Sequence, residues 1–147
     1  MRLQARTISS AVLKRSLLAC TSLALMSAAP MQDPPGQGVL CLATFVYFVE
    51  KNGKQCRSGK DAEFQARIAG YARRFDEYII RNSGGDAAGL ARFKDGQGLN
   101  SSDRNYICAG DVAESYDRFK AEKPQELDKA VDKLLARDGR PSFGDCV

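Results

Sequence analysis

Lys60 to Gly85, KDAEFQARIAGYARRFDEYIIRNSGG, is the stretch that decides the fold. Its large apolar residues fall at Phe64, Ile68, Tyr71, Phe75 and Tyr78, in steps of four, three, four and three. That period lines one face of a helix, and Ile79 widens the stripe. Asp61 and Glu63 stand where the first turn presents free N–H groups, and Gly84-Gly85 supplies a stop. About 23 residues rising ~1.5 Å each make a rod of roughly 34 Å, enough for the spine of a small domain. Arg67, Arg73, Arg74, Asp76, Glu77 and Arg81 fall on the outer face, where Arg73 and Glu77 stand one turn apart.

Immediately upstream, Val39 to Val49 (VLCLATFVYFV) is almost wholly apolar. Its β-branched and aromatic content suits a buried strand, but no second strand-like run exists to pair with it. A buried helix over 38–50 is therefore predicted, ended by Glu50-Lys51-Asn52-Gly53. The connection that follows, KNGKQCRSGK, carries Lys51, Lys54, Arg57 and Lys60 and no acid. It reads as a basic loop over 51–60, a candidate anion-binding site or a solvated turn.

Downstream, Asp86 to Lys94 predicts a short helix resting on Leu90 and Phe93, broken by Asp95-Gly-Gln-Gly, with Leu99 as a core plug. Ser101 or Ser102 then caps a helix running to about Glu122, with Ile107, Val112, Tyr116 and Phe119 inward and Cys108 in its second turn. Ala109 and Gly110 within it would permit close approach of a neighbour. Pro124 opens a last helix over 124–137 whose Leu127, Val131, Leu134 and Leu135 face inward, and Pro141 prevents its resumption. The fold class is all-α: a small disulfide-stapled bundle of four to five helices after a cleaved signal peptide.

The signal is read from Arg2, Arg6, Lys14 and Arg15, which precede the uncharged run Ser16 to Ala29. A basic start, an apolar stretch of about 14 residues and small residues make a secretory leader, shorter than the roughly 20 residues of a membrane span. The organisation is thus 1–29 signal peptide, 30–37 flexible lead-in and 38–147 a single helical domain, periplasmic or secreted. The leader holds four of the 22 Lys and Arg and none of the 18 Asp and Glu. The mature part therefore carries 18 of each sign and no net charge, which argues against nucleic acid as a partner.

Export makes Cys41, Cys56, Cys108 and Cys146 two disulfides. Cys41 and Cys56 lie near opposite ends of the first helix, ~20 Å apart by helix rise, against the ~7 Å Cα separation a disulfide tolerates. The favoured pairing is Cys41–Cys108 with Cys56–Cys146; the alternative joins Cys56 to Cys108 and the tail to Cys41. With no histidine and no CxxC, neither a zinc site nor an imidazole-activated nucleophile is expected, and no catalytic or metal residues are assigned. No cofactor is expected. Tyr47, Tyr71, Tyr78, Tyr106 and Tyr116 need hydroxyl partners wherever they are buried. The expected function is a protein-interaction module of inhibitor, immunity or chaperone type, not an enzyme, whose partner is another envelope or secreted protein. The alternative is a binder of a small anionic ligand or envelope surface through Lys51, Lys54, Arg57 and Lys60. No stable membrane span is expected in the mature form.

Overall fold

A computed structural model describes residues 36–144, and every described element is helical. The order is α1 (Val39–Cys56), α2 (Ala62–Asn82), α3 (Ala87–Gly96), α4 (Arg104–Cys108), α5 (Gly110–Ala121) and α6 (Pro124–Leu135). The leader, most of the lead-in and Cys146 lie outside the described residues. Gly36–Gly38, at the end of the lead-in, form a turn in which Gly36 is buried and its carbonyl accepts the Ser142 N–H at 3.0 Å.

α1 and α2 are the paired spine. Gly53 of α1 lies beside Gln65 of α2 and Tyr47 beside Asp76, so the two run antiparallel. α1 is covered by α2, α4 and α5, which explains its nearly continuous apolar sequence. α2 buries the face its period predicts: Ile68, Tyr71, Ala72, Phe75, Tyr78 and Ile79. On its other flank, Tyr71, Arg74 and Tyr78 meet Asp128, Asp132 and the Arg137 carbonyl in the same order, so α6 runs parallel to α2. Leu90 and Leu99 are both buried, as the sequence predicts.

Two boundaries differ from expectation. α1 continues through Asn52-Gly53 to Cys56, so the first six residues of the basic loop are helix. Gly53 is a contact rather than a stop: a Cβ there would lie 3.1 Å from the Gln65 side chain. Asn52, fully buried, donates Nδ2–H to the Ile107 carbonyl at 2.7 Å. Tertiary packing thus overrides a local breaker signal. The turn that follows is tied by Gln65 Nε2, which donates to the carbonyls of Arg57 and Lys60 at 3.0 and 2.7 Å.

The helix expected from 101 to 122 is two helices. Ala109 is extended (φ −133°, ψ 177°), and Gly110 has φ +55°, a conformation glycine adopts without steric cost. No neighbour lies within 4 Å of a Cβ built on Gly110, so the pair makes a corner rather than a close approach. The cap is Asp103, whose Oδ1 accepts from the Asn105 and Tyr106 N–H groups at 2.9 and 3.4 Å, in place of Ser101 or Ser102.

The corner serves a disulfide. Cys56 and Cys108 are bonded, with Cα atoms 5.6 Å apart. The favoured pairing of Cys41 with Cys108 and Cys56 with Cys146 is therefore corrected. Longer than predicted, α1 delivers Cys56 to the end of α4. Cys41 is also disulfide-bonded.

Candidate functional site

The four cations singled out by sequence are not gathered into one cradle. Lys51 donates to the carbonyls of Leu99 and Ser101, the latter at 2.5 Å, and so closes the α3–α4 connection against α1. Lys54 pairs with Glu50 one turn back at 2.6 Å. Arg57 pairs with Asp117 of α5 at 3.2 Å and lies 4.9 Å from the centroid of the Tyr116 ring. Lys60 is exposed and has no side-chain partner among the described residues. Lys51 and Lys54 share a small cavity of about 210 Å³ with Tyr47, Glu50, Lys94 and Asn100. Here too the cations are committed, since Lys94 pairs with Asp76 at 2.8 Å and lies 4.3 Å from the Tyr47 ring centroid.

Four of the five tyrosines are buried, and each buried hydroxyl finds an acceptor. Tyr47 donates to Asp76 at 2.6 Å, Tyr71 to Asp128 at 2.6 Å, Tyr116 to Asp61 at 3.2 Å and Tyr78 to the Arg137 carbonyl at 2.6 Å. Burial first, and then a nearby carboxylate (Asp76, Asp128, Asp138 and Asp61 respectively for Tyr47, Tyr71, Tyr78 and Tyr116), pushes all four phenols above the ordinary tyrosine value. They stay protonated at neutral pH and act as donors that join helices. Asp61 is shifted the other way: hydrogen bonding from Lys120, 2.7 Å away, holds its carboxyl below the usual range.

The fifth tyrosine behaves differently. Tyr106 is 48% exposed and Phe45 is 46% exposed, a large fraction for aromatic rings. Phe48, one turn along α1 from Phe45, meets the Tyr106 ring edge-on with centroids 5.9 Å apart. The patch is thus built by the exposed face of α1 and by α4, which the Cys56–Cys108 bond holds in place. Beside it lies a shallow depression of about 300 Å³ lined by Asn105, Tyr106, Asp111 and Val112. Sequence reading missed this patch. In a run as apolar as VLCLATFVYFV nothing marks Phe45 as the ring left outside, and Tyr106 sits in a helix only five residues long.

Among the described residues, no group of three or more His, Cys, Asp or Glu side chains is arranged to hold a metal ion. No helix among them is long and apolar enough to cross a membrane. Comparison of the chain with protein-family models, curated proteins and solved structures finds no match.

Proposed function

We propose that this chain is an exported, disulfide-stapled helical module that acts by binding another protein through the Phe45–Phe48–Tyr106 patch. The carrying observation is the half-exposure of Phe45 and Tyr106 in a chain whose other large rings are, with the exception of Phe143, buried or half-buried. Aromatic anchors at a rigid surface are the residue types that dominate binding energy at protein interfaces. Export is supported by the basic-then-apolar leader and agrees with a disulfide framework. The anionic-ligand reading has less support, because Lys51, Lys54 and Arg57 already have partners and Lys60 stands alone.

The test is affinity capture from envelope extract and growth medium by the purified, oxidised protein, at low and at physiological salt. A partner retained by the wild type at both salts, and lost by Phe45→Ser with Tyr106→Ser, is the expected result. Exposed positions of this kind tolerate polar replacement, so circular dichroism should be unchanged. Retention that ignores the double substitution but collapses with salt would overturn the reading in favour of the cations.

A further inference from the structure

A cavity of about 590 Å³ lies between the start of α1, the end of α2, α3 and the C-terminal tail. It shares no residue with the Phe45–Tyr106 patch, and its volume falls within the roughly 300–1,000 Å³ typical of small-ligand sites. Leu40, Ile79, Leu90 and Phe93 supply an apolar lining.

The polar groups at its rim divide sharply. Asp86 is committed twice, accepting the Gly89 N–H at 2.7 Å and pairing with Arg92 at 3.0 Å. Asn82 is committed at both ends of its amide, donating to the Tyr78 carbonyl at 3.0 Å and accepting the Gly139 N–H at 3.2 Å. The Arg140 guanidinium and the Ser83 hydroxyl, by contrast, have no partner among the described residues. With Asp86 neutralised by Arg92, the rim carries one uncompensated positive charge over an apolar floor.

Arg140 is also held in place. Tyr78 donates to the Arg137 carbonyl at 2.6 Å, Ser142 N–H to the Gly36 carbonyl at 3.0 Å, and Leu40 N–H to the Ser142 carbonyl at 3.1 Å. Phe143 then packs against Phe93 of α3 with ring centroids 5.9 Å apart. Glycine is required at 36, where a Cβ would stand 2.3 Å from the Arg140 carbonyl oxygen. The tail is thus a fixed strap that forms one wall and carries the exposed Arg140 at its edge.

We infer that this groove binds a small monoanionic amphiphile of the fatty-carboxylate class, with the carboxylate at Arg140 and the alkyl chain over Ile79, Leu90 and Phe93. A planar guanidinium accepts a carboxylate through two parallel hydrogen bonds, and Ser83 adds a neutral donor. The alkyl chain leaves water by lying over the half-buried Leu40 and Phe93, with the buried Ile79 and Leu90 beneath them.

NMR titration of the purified, oxidised protein with octanoate tests the assignment, with 1-octanol as the uncharged control. The expected result is a saturable, single-site shift of the Ile79, Leu90 and Phe93 resonances, with octanol binding more weakly. Arg140→Gln should weaken octanoate about ten-fold and leave octanol unchanged, whereas Arg140→Lys should keep part of the difference. Arg140 is exposed, so its replacement leaves the fold intact. The inference is overturned if octanoate gives no saturable shift, if Arg140→Gln leaves its affinity unchanged, or if the shifts centre on Phe45 and Tyr106.

Discussion

α2 and the α4–α5 corner are both read from an apolar period in sequence, yet they are held by different chemistry. α2 is fixed by a continuous buried stripe and by phenols donated across its flanks: Tyr47 to its own Asp76, and its Tyr71 and Tyr78 to Asp128 and the Arg137 carbonyl. α4 has only Ile107 buried, and five residues cannot sustain a helix unaided. Its position rests on the bond from Cys108 to Cys56, the Asn52 amide on the Ile107 carbonyl, and Arg104 donating to the Gln55 carbonyl at 3.2 Å. One element is positioned by packing along its length, the other by a few point attachments. The patch proposed for partner binding stands on the second kind.

The largest effect expected from that difference is on α2. Phe75 is fully buried at the middle of its stripe, so Phe75→Ala should lower global stability by about 3–5 kcal/mol in denaturant unfolding. A loss below 1 kcal/mol would show that α2 is not the packed member of the pair. Next is the staple. Replacing Cys56 and Cys108 together by serine opens a link spanning 52 residues of sequence, for which about 2–4 kcal/mol is expected. The distinguishing readout is hydrogen exchange: amides of residues 104–108 should exchange faster in the double variant while those at the centre of α2 keep their protection. Uniform loss across both elements would erase the distinction.

How legible each element was follows from the same contrast. Where burial extends over several turns, periodicity alone located the helix, and Phe64, Ile68, Tyr71, Phe75 and Tyr78 identified its inward side. The ends were less legible wherever a distant side chain decided them. Asn52-Gly53 has the composition of a stop, but a buried amide bond to Ile107 and close packing on Gln65 carry α1 past it. Ala109-Gly110 has the small side chains of a close helix–helix approach, and only the extended Ala109 and the positive φ of Gly110 make it a corner. The short expectation for α1 also assigns Lys51 and Lys54 to a loop, whereas both stand on the helix with their ammonium groups engaged. Arg140 was invisible as a site residue, since only the hydrogen bonds of the tail bring it to the cavity.

Alkaline pH should loosen the phenol ties along α2 in a graded way. A phenol whose folded pKa is raised contributes stability that is fully present below the unfolded value of about 10 and is lost as pH climbs toward the folded one. Burial, then the Asp76 hydrogen bond, raises Tyr47 strongly, and burial with Asp128 raises Tyr71. Above about pH 10 the unfolded chain gives up these protons while the folded chain keeps them, so each such phenol costs about 1.4 kcal/mol per pH unit. Tyrosine absorbance and far-ultraviolet circular dichroism should then change together as pH rises. Tyr47→Phe should flatten the dependence. Phenols that titrate while the helices stay intact would mean that the ties along α2 are not fastened by protonated hydroxyls.

The smallest effect belongs to the outer flank of α2, where Arg74 meets Asp132 of α6 at 2.7 Å. The distance alone suggests a strong tie, but the side chains are 42% and 64% exposed. Water screens the attraction, and both side chains lose rotamer freedom in forming the pair, so exposed pairs contribute about 0–1 kcal/mol. Arg74→Ala should therefore cost well under 1 kcal/mol, and a double-mutant cycle with Asp132→Ala should give a coupling of about 0.5 kcal/mol that shrinks as salt is added. The neighbouring positions 74 and 75 then differ several-fold in cost although they are adjacent in sequence, because only one faces the core. A coupling above 2 kcal/mol would place α6 among the elements held to α2 by point attachment, as α4 is held to α1, and would confine packing as the organising force to α1 and α2.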